Sequence, residues 1–245
     1  MSMPAPVAAP APAPTPAPLG RCSATVIEGE RCEVRIPAWV VDLESFRRWA
    51  DSEDFPQRGR YCYLNGIIWV DVSMEELLSH NQVKAEYSRV LGNIVVADQL
   101  GRFYVDGAAL SNSAADLSSV PDGIFVTWAS FQDGRVKRKP RAQAGYTELI
   151  GSPDMVLEVI SDSSVEKDTQ VLRKLYWLAG IREYWLVDVR GGNLRFDILR
   201  HGKKGYLATR PQSGWLKSAV FGRSFQLRTE TDPLGDPQFV LAVRD

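Results

Sequence analysis

The sequence predicts an α/β domain: a βαβ unit with parallel strands, a hairpin before it and an antiparallel meander after it. Three observations carry that expectation. Residues 151–189, GSPDMVLEVISDSSVEKDTQVLRKLYWLAGIREYWLVDV, read strand, helix, strand at the length of a βαβ unit. Asn65-Gly66 stands between two alternating apolar runs, the strongest short hairpin signal a sequence offers. Beyond Gly191-Gly192 the chain breaks into short strand-like runs separated by turn residues.

Composition sets the bounds. A chain of 245 residues, 44% of them hydrophobic, holds one sizeable domain with appendages. Formal net charge is -1, so no global field selects a partner and any nucleic-acid surface must be local. No apolar run approaches the roughly 20 residues that span a bilayer, which excludes a helical membrane protein. Cys22, Cys32 and Cys62 fit no zinc or redox spacing. An odd number of cysteines without a secretion signal predicts reduced thiols and a cytoplasmic location.

Residues 1–20 are an Ala-Pro repeat that cannot form helix, and residues 1–35 are read as a tail without fixed structure ahead of a domain over 36–245. Residues 39–50 (WVVDLESFRRWA) predict a short amphipathic helix capped by Asp42, with Leu43, Phe46 and Trp49 inward. Residues 60–72 carry the hairpin. Over 74–100, Val83, Tyr87, Val90, Leu91, Ile94 and Val95 form one helical stripe that Gly101 ends. Two short extended segments follow, at 102–105 and 107–110. Residues 120–128 predict a strand starting on a proline, and residues 135–141 (RVKRKPR) a basic loop.

The βαβ unit holds the one feature packing does not explain. Met155 to Ile160 is an apolar run suited to a strand buried on both faces, yet Glu158 lies inside it. A buried carboxylate needs a cation, a metal or a hydrogen-bond partner. Apolar residues at 171, 172, 175 and 178 give the helix, and Gly180 closes it. Asp122 stands at the head of another strand. Two carboxylates on adjacent strand ends can hold a magnesium ion that keeps waters and takes up phosphate oxygens.

Pro121-Asp122, then Pro153-Asp154 through Glu158-Val159-Ile160-Ser161, then Glu183-Tyr184-Trp185-Leu186-Val187-Asp188 together resemble the Uma-two family of bacterial endonucleases, over roughly residues 39–228. The resemblance implies a restriction-endonuclease-like fold, with a mixed central β-sheet flanked by helices, and a PD-(D/E)XK site. Asp122 and Glu158 match its two metal carboxylates, for Mg2+ or Mn2+, and Glu86 matches an acidic residue on the preceding helix. The sequence also departs from the pattern. Ile160 stands where the lysine of the motif is expected, Leu172 where the family tends to place one in the following helix, and Cys62 where it usually carries a glutamate. Lys167, with Lys174 as the other choice, is the catalytic cation expected instead. His80 matches a histidine at the helix head and is read as structural.

Residues 195–228 contain eight Lys/Arg against the single acid Asp197, interleaved with aromatics, which suits phosphate tracking or an ordinary half-buried sheet. Two functions remain in view. One is a metal-dependent DNA endonuclease; the other is a nuclease-fold module that binds nucleic acid or a protein without cutting. DNA is the expected partner, no membrane is expected, and a homodimer is left open.

Overall fold

The computed structural model describes residues 34–140 and 145–245, of which residues 40–245 form one unit. The Ala-Pro repeat, Cys22 and Cys32 lie outside the described residues.

Asp42 caps α1 (Leu43–Ala50) by accepting the Ser45 N–H, and Ser45 returns the bond to the cap, so the helix begins where the sequence places its polar start. Leu43, Phe46 and Trp49 are buried. The hairpin follows as β1 (Arg60–Leu64) and β2 (Ile67–Asp71), with Asn65 and Gly66 at φ 51° and 84°. Both turn residues need positive φ, which asparagine tolerates and glycine adopts freely. A π-helical stretch, Leu77–Asn81, leads into α2 (Gln82–Ala97), whose whole predicted stripe is buried.

Then come β3 (Gly101–Val105), β4 (Ala109–Asn112), β5 (Leu117–Ser119) and β6 (Gly123–Thr127). Trp128, expected to end that last strand, instead opens α3 (Trp128–Gln132), capped by Thr127. The predicted basic loop is a strand, β7 (Val136–Pro140), paired with β8 (Tyr146–Gly151). β7 is an edge strand, where Lys137 and Arg138 reach water and a proline costs no ladder bond. The βαβ unit is as read: β9 (Met155–Val159), a π-helical stretch Lys167–Leu172 running into α4 (Arg173–Leu178), then β10 (Glu183–Asp188) parallel to β9. Leu178, expected inward, is exposed. The chain closes with β11 (Arg195–Gly202), β12 (Gly205–Ala208), β13 (Leu216–Lys217), β14 (Ser224–Thr231) and β15 (Pro237–Arg244).

The expected mixed sheet is present, in two copies rather than one. One six-stranded sheet runs β2-β1-β5-β4-β8-β7, the other β12-β11-β10-β9-β6-β3, and β13-β14-β15 form the antiparallel C-terminal sheet. Each contains one parallel pair, β4 with β8 and β9 with β10. The second sheet is central because both its faces are covered. Val156, Ile160 and Tyr184 face α4 and the first sheet through Leu64, Leu110, Leu117 and Tyr176. Met155, Leu157 and Trp185 face α2 and the C-terminal sheet through Tyr87, Leu91, Phe225 and Leu241. Two-sided burial is why β9 and β10 read as continuous apolar runs.

Candidate active site

Glu158 falls on the face that carries Val156 and Ile160, and therefore points between the two large sheets. β6 runs antiparallel to β9 with Gly123 opposite Leu157. Continuing that register one residue sets Asp122 opposite Glu158 on the same face. Gly123 makes the approach possible, since a Cβ there would lie 2.9 Å from the Phe103 ring and 3.3 Å from Leu157. Asp122 and Glu158 are each 3% exposed.

Each carboxylate has one anchored oxygen. Asp122 Oδ2 accepts the Val159 N–H at 2.8 Å, and Glu158 Oε1 accepts the Tyr176 hydroxyl at 2.6 Å. Asp122 Oδ1 and Glu158 Oε2 accept no hydrogen bond among the described residues. The adjacent Val159 carbonyl lies 2.8 Å from His80 Nε2, and that bond assigns Nε2 as the donor.

Two charge clusters meet at this pair. On the outer side Lys84 Nζ lies 2.5 Å from Glu75, 2.7 Å from Asp106 and 3.5 Å from Asp122. Arg60 contacts Glu75 and lies 2.9 Å from Asp106 and 3.7 Å from Asp122. Burial alone would push Glu75 up, but the Lys84 hydrogen bond and the Lys84 and Arg60 charges pull it down to about 2. Burial opposes the Lys84 charge, and Asp122, Asp106 and Glu75 outweigh it and hold the ammonium above its ordinary value.

The inner side is short of positive charge. Burial pushes Glu158 well above the carboxylate range, and Asp168 and Asp122 push the same way; Lys167 and the Tyr176 hydroxyl only partly oppose them. Burial likewise raises Asp168, although the Lys167 ammonium stands 3.2 Å from its Oδ1. Lys167 in turn is held above its ordinary value, because Glu158 and Asp168 outweigh its own burial. Two carboxyls thus share one ammonium.

Of the residues singled out by sequence, Asp122, Glu158 and Lys167 come together; Glu86 and Lys174 do not. Glu86 turns away, pairing with Arg89 at 2.8 Å and accepting the Leu241 N–H at 3.0 Å on the C-terminal sheet. Helix α2 offers Lys84 to the site instead. Lys174 is exposed on α4, whose buried residues are Leu175 and Tyr176. Asp154 is wholly buried and structural: it accepts the Thr127 N–H and the Ser130 hydroxyl and pairs with Arg182. Asp188 holds Arg190 at the end of β10. Arg60, Glu75, Lys84, Asp106 and Asp168 escaped the sequence reading. Only Lys84 left a signal, four residues after His80 and so on the same helix face.

Among the described residues no group of three or more His, Cys, Asp and Glu is disposed to hold a metal ion. An ion here would rest on two carboxylates, waters and substrate oxygens, the mode that suits magnesium. The donor set fits that demand, with hard oxygens on two facing carboxyls and a shortage of cations on the Glu158 side, while Asp122 Oδ1 lies within ion-pair distance of Lys84 and Arg60. Also among the described residues, no helix is long and apolar enough to cross a membrane.

The fold has a solved counterpart. The crystal structure described as "a putative nuclease belonging to DUF820" from Anabaena variabilis superposes with a TM-score of 0.55 at 16% identity, covering 74% of this chain and 91% of that one. At that identity the likeness is one of fold. No curated protein matches the sequence. Residues 43–230 match the Uma2 family, whose description is "Putative restriction endonuclease". The chain belongs to the Uma2 family.

Proposed function

We propose that the protein is a divalent-metal-dependent nuclease that hydrolyses DNA phosphodiester bonds at the Asp122–Glu158 pair. The observation that carries this reading is Glu158 itself. It is a carboxyl kept inside a two-sided core strand that, among the described residues, accepts one hydroxyl and shares the Lys167 ammonium with Asp168. Burying such a group costs stability that packing does not return.

Asp122 and Glu158 would hold Mg2+ or Mn2+. A divalent ion there supplies Lewis acidity toward the phosphorus centre and lowers the pKa of an attacking water. The chain's own residues do the rest. Val159 N–H and Tyr176 fix the two carboxylates in place. Lys167, with its ammonium beside both inner carboxyls, stabilises charge that develops on the phosphoryl oxygens. Arg60, which lines the cleft beside Glu75 and His80, would bind a flanking phosphate, and the buried Lys84 would hold Asp122 in position. In the reaction the attacking water gives a proton to solvent as its oxygen bonds to phosphorus, the bond to the leaving sugar oxygen breaks, and solvent supplies a proton to that oxygen.

A second reading has its own support. Ile160 and Leu172, at the two positions where a lysine is expected, are both core residues, and Arg60 and Lys84 already neutralise the outer carboxylates. A nuclease-fold module that binds without cutting would look the same. Plasmid cleavage separates the two. Parent protein should nick DNA with Mg2+ or Mn2+ and stop with EDTA, while Asp122→Asn and Glu158→Gln each lose on the order of a hundredfold or more. Metal-independent nicking, or none from any preparation, would refute the nuclease reading.

A further inference from the structure

A cationic groove lies between the β11–β12 edge of the central sheet and the C-terminal sheet. It has a volume of about 530 Å3 and is lined by Arg200, Arg210, Lys217 and Arg244 around Trp215, with Thr209 on its wall and no Asp or Glu in the lining. Several cations elsewhere are matched to carboxylates, Arg47 to Glu148, Arg182 to Asp154 and Arg223 to Asp98, while others stand singly on the surface. In the groove, among the described residues, none of the four cations forms an ion pair with a carboxylate.

Three of the four are anchored, one of them through its backbone. The Arg244 guanidinium carbon lies over the Trp215 ring, 4.4 Å from its centroid. The Lys217 ammonium donates to the Gly222 carbonyl. Arg200 is fixed to the ladder between Glu183 of β10 and Leu207 of β12. Four like charges held together in a chain of net charge -1 repel one another unless an anion joins them. The Thr209 hydroxyl is buried and lacks a hydrogen-bond partner, a further polar group without a use inside the fold.

The groove is remote from the carboxylate pair. Alternation along β11 sets Arg200 on the face of Ile198, which packs with Leu157 and Phe225, the face opposite Glu158. Arg200 is also level with Met155, where β9 begins, whereas Glu158 lies near its end. Two strand spacings of about 4.8 Å and three residues along the strand put the two places on the order of 15 Å apart.

We propose that this groove is a nucleic-acid backbone site, distinct from the cleavage site, that takes successive phosphates of a strand. It rests on the proposed function only in taking nucleic acid as the partner, and does not require cleavage. The test is fluorescence anisotropy of labelled single-stranded and duplex oligonucleotides with the full chain in EDTA, across a salt series. Replacing the groove cations (Arg200→Gln, Arg210→Gln, Lys217→Gln and Arg244→Gln together) should weaken binding at least tenfold at low salt. The slope of log K against log salt should shrink by about 3, as expected for four lost phosphate contacts. The single- and double-stranded arms show which form is held.

The pair Arg200→Gln/Arg210→Gln leaves the Trp215 stack in place and should give about half that loss of slope, should the fourfold variant melt early. Three results would overturn the proposal: a parent that binds neither oligonucleotide, variants that bind as the parent does, or an equal loss from Lys137→Gln/Arg138→Gln on β7. Loss confined to anionic phosphatidylserine vesicles would overturn it too, making the groove a membrane-surface site. A parent that binds through the groove but cuts nothing would refute the nuclease reading alone.

Discussion

Glu148 and Glu158 lie on strands β8 and β9, both buried, and the fold treats them in opposite ways. Glu148 receives Arg47 on both oxygens at 2.8 Å, with the Ser111 hydroxyl and Lys139 beside it. Burial pushes its carboxyl up, but the Arg47 hydrogen bonds and charge bring it below its ordinary value. Glu158 receives one tyrosine hydroxyl and a share of Lys167, and burial leaves its carboxyl far above its ordinary value. The first is a completed ion pair. The second is a buried carboxyl left short of positive charge, and the proposed role of Glu158 rests on that contrast.

The largest expected effect is at Glu148. Glu148→Gln orphans Arg47, a loss of roughly 3 kcal/mol at neutral pH, at the low end for a broken buried pair because Arg47 keeps a fifth of its side chain in water. Urea unfolding measures it, and a cost under about 1 kcal/mol would erase the contrast. Glu158→Gln keeps the Tyr176 hydrogen bond and removes a group that ionises more readily in the unfolded chain than in the folded one, so the metal-free variant should be at least as stable as its parent.

The two variants should also show opposite pH slopes. The depressed Glu148 carboxyl contributes stability above its unfolded pKa and loses it as pH falls through the folded one, so the penalty of Glu148→Gln shrinks in acid. The raised Glu158 carboxyl favours the fold below its unfolded pKa and loses that contribution as pH rises toward the folded one. The advantage of Glu158→Gln therefore grows from about pH 5 upward. Parallel slopes in thermal melts would mean that both groups are paired alike. Smaller again is the effect of metal on the parent, about 2.7 kcal/mol at 100 times its dissociation constant, absent in Glu158→Gln.

Much of this was legible in the residues. The βαβ unit announces itself because β9 and β10 are buried on both faces and Gly180, at φ 72°, ends α4. Glu158 stands out for the same reason: an acid in such a run has no solvent face to turn to. β7 was not legible, since RVKRKPR has a loop's composition and only its place at a sheet edge makes it a strand. Lys84 left a faint trace, since helical spacing sets it in line with Leu91 and Val95 on the flank of the buried stripe, and helix α2 starts beside Asp122 and turns that flank onto the site. Arg60, Glu75 and Asp106 converge from separate segments, and no spacing in a single chain encodes that meeting. Glu86 was misplaced because its helix borders the site while its own face looks toward β15.

The central claim is that Glu158 is kept for a cation. Calorimetric titration of Mn2+ into metal-free parent and Glu158→Gln, in two buffers of different ionisation heat near pH 7, tests it most directly. The account predicts binding to the parent with release of a proton, because the raised Glu158 carboxyl must ionise to become a ligand, and at least a hundredfold weaker binding to the variant. Equal affinity for both proteins, or no binding heat from the parent, would contradict it.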